Sequence, residues 1–235
     1  MLMTKKTTKK KKTRKHWRKL HPVIILKAVV VILIFISFFV PWHHDYASES
    51  NKDSWETNWH LQSYYVTHKN ASFDTEMQYS YPGPDNLHNA SIVWNTTFYL
   101  TILTFAAVIL SLLCSIKVKN PKRKIKIITE LIALLFVLST LCYFTASYPN
   151  AIMEDAKNIS TLNPCIIQHA STKAFSAVIS DGTSGSWFPG YGWFLMMGGL
   201  ITYILLVEHR VRIFLGKVYL KMLDEAERLR KAERK

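Results

Sequence analysis

The chain has 235 residues, 49 % of them hydrophobic, and sets 30 Lys and Arg against 16 Asp and Glu for a net charge of +14. A soluble protein of this size would spread its apolar residues through amphipathic elements. Here they are gathered into four blocks with the charge expelled between them, which argues against an ordinary soluble core.

Residues 1–19 are a low-complexity tail carrying ten cations, from Lys5 to Lys19. Such a tail is expected to be disordered and cytosolic. A lysine run can also serve as a nucleic-acid patch, but beside an apolar block it sets topology and attracts anionic headgroups. Each cation near the surface contributes roughly 1 kcal/mol to that attraction. Membrane lipids, with anionic headgroups on the cytosolic side, are therefore expected partners, and nucleic acid is not.

The first block is assigned as a transmembrane span over 20–42, with Lys27 its internal charge. No small-residue cleavage pattern closes it; Pro41-Trp42-His43-His44 follows instead, so an uncleaved anchor is expected. Residues 43–93 form a first outer loop rich in aromatics. Strand-favouring residues run over 59–66 and 73–81 around a turn-like 68–72, predicting a hairpin with its tip at Asn70. A second span covers 94–117, a basic cytosolic loop 118–127 and a third span 128–147 with one acid, Glu130. A second outer loop occupies 148–189. It opens on Tyr148-Pro149, carries a short helix-compatible stretch over 151–157, and has a strand over 174–180 meeting the turn Asp181-Gly182. The fourth span is 190–208, and 209–235 is an amphipathic cytosolic helix, lying along the inner leaflet or extending from the span into water. Each span approaches the ~30 Å needed to cross the hydrocarbon at 1.5 Å per residue.

Charge distribution fixes the expected orientation. The segments 41–97 and 148–190 carry Lys52, Lys69, Lys157 and Lys173 against ten acids, while each basic cluster falls on the other side of a four-pass arrangement. The positive-inside rule puts that other side, with both termini, in the cytosol of what is expected to be the cell membrane. The fold class expected is an α-helical membrane protein of four spans with a partly β extracellular cap.

The chemistry-bearing residues give few constellations. All nine histidines lie outside the expected spans, which disfavours intramembrane haem ligation. Neighbouring His43 and His44 point to opposite faces of an extended chain, and no histidine spacing matches a metal motif. The Gly182-Thr-Ser-Gly185 stretch has the form of a rhomboid-protease motif but lacks an intramembrane histidine as base. One outer cysteine, Cys165, is too few for a redox pair and is expected as a free thiol or an intermolecular disulfide. No catalytic residue, metal site or cofactor is expected. Sequons at Asn70, Asn89 and Asn158 mark candidate glycosylation sites. Lys27 and Glu130 are shallow enough to snorkel, and pairing them would make spans one and three neighbours. The aromatics Trp55, Trp59, Tyr64, Tyr65 and Trp187 either pack together as a folded cap or form a partner surface, with Trp59 and Phe175 expected inside and Trp55 on the rim.

Two further stretches carry a resemblance: Phe38-Phe-Val-Pro-Trp42 where span one ends, and Gly190-Tyr-Gly-Trp-Phe-Leu-Met-Met-Gly-Gly199 entering span four. With the loop lengths, they resemble the claudin-like tetraspan group and similar four-span prokaryotic proteins. The first loop lacks the paired cysteines and Gly-Leu-Trp signature of claudins, so junction function is not implied. The resulting expectation is a non-enzymatic structural, adhesion or accessory subunit acting through its outer cap, with a protein partner or a second copy. A transporter or channel subunit assembled by oligomerisation is the alternative.

Overall fold

The computed structural model describes residues 22–49, 53–70, 74–81, 87–116, 123–157, 175, 177–179 and 183–233. The tail 1–19, Asn158 and Cys165 lie outside them. Among the described residues, four helices and six strands follow in the order α1 Pro22–Ser37, β1 His43–Glu49, β2 Asp53–Trp59, β3 Ser63–Lys69, β4 Asp74–Ser80, α2 His88–Ile116, α3 Arg123–Lys157, β5 Ala177–Ile179, β6 Thr183–Pro189 and α4 Tyr191–Glu233. Three helices, α2, α3 and α4, are long and apolar enough to cross a membrane, which points to an integral membrane protein; α1 is a shorter apolar helix. The helices form a ring in which α1 neighbours α2 and α4, and α3 neighbours α2 and α4.

Helix α1 stops at Ser37 for a local reason. The Ser37 hydroxyl donates back to the Ile34 carbonyl at 2.7 Å, and the Ser37 carbonyl accepts the Trp42 indole N–H at 2.7 Å. The chain therefore turns through Phe38–Phe39 while it is still apolar.

Helix α2 begins at His88, ahead of the expected Trp94, because Asp155 caps it from another helix. One carboxylate oxygen accepts the Asn89 backbone N–H at 2.9 Å and the other that of Ala90 at 2.8 Å. A helix start leaves such donors orphaned, and a carboxylate also suits its positive dipole end. Helix α3 does not end near Ser147. It runs through Pro149 to Lys157, so 151–157 is its last part rather than a separate helix. The tail beyond 208 continues α4 without a break to Glu233.

The strands form one antiparallel sheet in the order β4-β3-β2-β1-β6-β5. The expected hairpin around Asn70 is present as β3–β4, with Lys69 opposite Asp74. The expected strand over 59–66, however, straddles a turn closed by His60 N–H donating to the Ser63 carbonyl at 2.8 Å. Within the second-loop strand expected over 174–180, Ala177–Ile179 pair with β6, while Ala174, Ser176, Ser180 and the expected turn Asp181-Gly182 lie outside the described residues.

The two stretches that carried the resemblance meet in space. Gly190 N–H donates to the Trp42 carbonyl and Gly192 N–H to the Pro41 carbonyl, each at 2.8 Å. A Cβ on Gly190 would sit 2.4 Å from the Pro41 oxygen, and one on Gly192 2.3 Å from the Trp42 ring. Trp42 is wholly buried and held by its own hydrogen bond, so it cannot give way. Gly192→Ala should therefore destabilise the protein by about 1–3 kcal/mol through overpacking. Gly216→Ala, in an open stretch of α4 with nothing within 4 Å, should be stabilising by up to ~1 kcal/mol. Thermal unfolding of both variants in detergent checks the contrast.

Candidate functional site

Alternation along paired strands sorts the sheet into two faces. His43, Asp45, Thr57, Trp59, Tyr64 and Trp187 share one face, and His44, Tyr46, Glu56, Asn58, Tyr65 and Phe188 the other. All six of the first group are buried. Trp59, for which an inside place was expected, and with it Tyr64 and Trp187 are consequently core residues of this chain; large aromatics gain most by leaving water.

Trp59 organises this core. Its ring stacks on Tyr64 at 4.8 Å and on Trp94 of α2 at 6.3 Å, and meets Tyr148 of α3 edge-on at 6.1 Å. Its indole N–H donates to the Asp45 carboxylate. The other Asp45 oxygen lies 3.2 Å from His43 Nδ1, and His43 Nε2 lies 3.0 Å from the Phe175 carbonyl oxygen. The Nε2 contact is a hydrogen bond, and the Nδ1 contact is a close approach to the carboxylate. His43 also contacts the Tyr148 ring at 4.8 Å, so a buried acid and base are clamped between sheet and helices.

The outward face is ordered as well. His44 Nδ1 lies 2.9 Å from Asn58 Oδ1, the Asn58 amide donates to Glu56 at 3.0 Å, and the His44 ring stacks on Phe188 at 5.7 Å. Tyr46 and Phe188 are 36 % and 41 % exposed, enough to offer contact area. Tyr65 is half-buried beside the His60 ring at 5.1 Å, whereas Trp55, on the inward face with Thr57 and Trp59, is half-buried and stacked on His68 at 4.7 Å.

A second polar cluster lies at the far end of the bundle. Lys27 Nζ is 2.6 Å from Glu130 Oε1, and Arg210 Nε is 2.7 Å from Glu130 Oε2. Lys27 also donates to the hydroxyls of Ser111 and Ser115 at 2.8 and 2.9 Å. All four helices are tied together here, and Lys27 and Glu130 are almost completely buried rather than reaching for water. Sequence reading named those two but missed Arg210, Ser111 and Ser115. Their helical phase was the available signal: Ser111 and Ser115 are one turn apart on one face of α2.

Among the sequon residues, Asn70 lies half-buried at the β3–β4 tip. The Asn89 amide nitrogen, the atom to which a glycan would attach, donates to Asp155 at 2.9 Å. Among the described residues no group of three or more His, Cys, Asp or Glu is placed to hold a metal, and Cys114 and Cys142 are free thiols. Compared with known proteins, the chain matches no family model and no curated sequence.

Two outcomes follow from these clusters. Glu130→Gln strips the carboxylate from fully buried Lys27 and from partly exposed Arg210 and should cost on the order of 3–5 kcal/mol, whereas replacing Lys27 by Met in the same chain should recover part of that loss. Detergent unfolding of the single and double variants measures it. His60 supplies a pH dependence. Burial lowers its pKa below the ordinary 6.5, and a hydrogen bond with the Phe39 backbone opposes this only in part. The unfolded chain then takes up the proton first, so the stability it contributes is complete above pH 6.5 and is lost as pH falls from that value through the lower folded-state pKa. His60→Gln should flatten the acid limb of a stability–pH curve relative to wild type.

Proposed function

We propose that the protein is a four-span membrane protein of claudin-like topology that acts as a structural, adhesion or accessory subunit, presenting its sheet outside the cell membrane. The observation that carries this reading is the rigid mounting of the sheet. Its neighbouring strands β1 and β6 are joined by short links to α1 and α4, its inner face is locked on α2 and α3 through Trp59, and its outer face holds ordered His44, Asn58, Glu56, Tyr46 and Phe188. A surface fixed in this way loses little conformational entropy on binding a partner.

Several features support the fourth span. Ile25, Leu26, Val29, Ile32 and Phe35 of α1 are each more than two-fifths exposed, and lipid is the solvent that suits them. Helix α1 is ~24 Å long at 1.5 Å per residue, and the turn through Phe38 to Trp42 carries the apolar stretch further. Lys126, Arg210, Arg212 and Lys221 cluster at the end opposite the sheet, in keeping with a cytosolic position for that end.

The test has two parts. In a background without native cysteines, membrane-impermeant maleimide should label Asn70→Cys in intact cells and Tyr219→Cys only after permeabilisation; the reverse pattern would overturn the topology. A photoreactive amino acid at Tyr46 or Tyr65 should give discrete adducts in native membranes, with none from the buried position of Trp187. Correct labelling without any adduct from either tyrosine would overturn the subunit reading.

A further inference from the structure

The end of the bundle opposite the sheet contains a cleft of about 280 Å³ beside the Lys27–Glu130–Arg210 cluster. Its walls include Val23 and Ile24 of α1, Ser115 of α2, Lys126 of α3, and His209 and Arg210 of α4. All four helices thus contribute to one concavity, and the polar side chains in it are mainly nitrogen donors. Against Lys27, Arg210 and Lys126, the single carboxylate of Glu130 leaves a surplus of two positive charges.

Backbone electrostatics adds to this surplus. Helices α1 and α3 both start at this end, and neither has an acidic residue in its first turn. The dipoles of both helices present their positive ends here. Ser115 is already engaged, accepting from Lys27 and donating to the Ser111 carbonyl at 3.0 Å. Glu130 meets the Arg210 guanidinium at Nε, leaving the rest of a five-donor group for a second acceptor. An oxyanion with several acceptor oxygens fits this donor set, since guanidinium and ammonium together recognise phosphate well.

We propose that this cleft binds the phosphate of an anionic phospholipid headgroup. Inorganic phosphate would present the same oxygens, but the apolar part of the wall favours the lipid. Val23 and Ile24 line the cleft, and the outward apolar side chains of α1 continue from them toward the sheet as a track for an acyl chain. The proposal rests on the membrane-spanning reading above and gives that reading a specific lipid contact.

Native mass spectrometry of the full chain, released from detergent doped with phosphatidylglycerol or phosphatidylcholine, tests it. Wild type should retain phosphatidylglycerol in preference to phosphatidylcholine, and Lys126→Gln should lower that preference about fivefold. Lys126→Arg should keep it, as should Lys221→Gln, which removes an equal charge from an exposed part of α4. Lys126 is only half-buried, so its replacement leaves the bundle core intact. Equal losses in Lys126→Gln and Lys221→Gln would reduce the effect to diffuse surface charge and overturn the site. So would the absence of any preference in wild type. Displacement of the lipid by millimolar inorganic phosphate would overturn the lipid in favour of the free ion. Correct cysteine labelling with no lipid preference would sink the headgroup site alone, whereas inverted labelling would sink the topology beneath it.

Discussion

Everything at the sheet end hangs on the place where two chain crossings lie side by side. The chain leaves α1 through Pro41 and Trp42 into β1, and it leaves β6 through Pro189 and Gly190 into α4. Because β1 pairs with β6 and α1 packs on α4, the same two segments must be neighbours in both layers. The hydrogen bonds from Gly190 and Gly192 to the Pro41–Trp42 carbonyls fasten that adjacency at the one level where neither ladder nor helix can supply it. Trp42 N–H then donates to the Trp59 carbonyl at 2.7 Å, so the crossing also sets where β2 begins its turn toward β3. Two glycines permit this approach because any side chain there would occupy the space of the opposing backbone or indole.

The bundle has different chemistry at its two ends and a third kind between them. At the sheet end, aromatic rings share the burial with the acids Asp45 and Asp155 and with His43. At the far end, four side chains from three helices surround Lys27. The middle is dry and made of small or branched residues. Val108, Ala133, Val137 and Leu200 are buried there, and a single 2.9 Å hydrogen bond joins Thr104 to Thr140. Small side chains let helix backbones approach where no hydrophobic force distinguishes lipid from neighbour. Polar contacts at both ends then specify which helix lies beside which, a task the uniform middle cannot perform.

Much of the helical layer was legible from sequence because long apolar blocks depend on composition alone. What escaped depended on contacts between distant residues. The start of α2 at His88 required Asp155, and the passage of α3 through Pro149 required a buried setting in which the missing N–H is tolerated. Strands β1 and β2 were missed altogether. Their inward positions include His43, Asp45 and Thr57, so the alternation that marks a half-buried strand was written in polar residues and could not be read as hydrophobic periodicity. The charged pair within the membrane-type helices was visible because each partner interrupts an apolar run. Arg210 was not, because it stands at the edge of a basic stretch and looks like its neighbours. The aromatics of the first loop were recognised as too numerous to leave in water, but only the register of the strands could say which ones face inward.

The capping of α2 by Asp155 imposes an order on biogenesis. The first turn of α2 is made by ribosomes well before the residue that satisfies its backbone donors, and so is β1 before β6. A nascent chain that has delivered only its first half therefore holds a sheet with one unfilled edge beside β1 and a helix whose entry turn is unclosed. Both are removed by the same later event, the arrival of the α3–α4 half, which brings the missing carboxylate and the missing strand together.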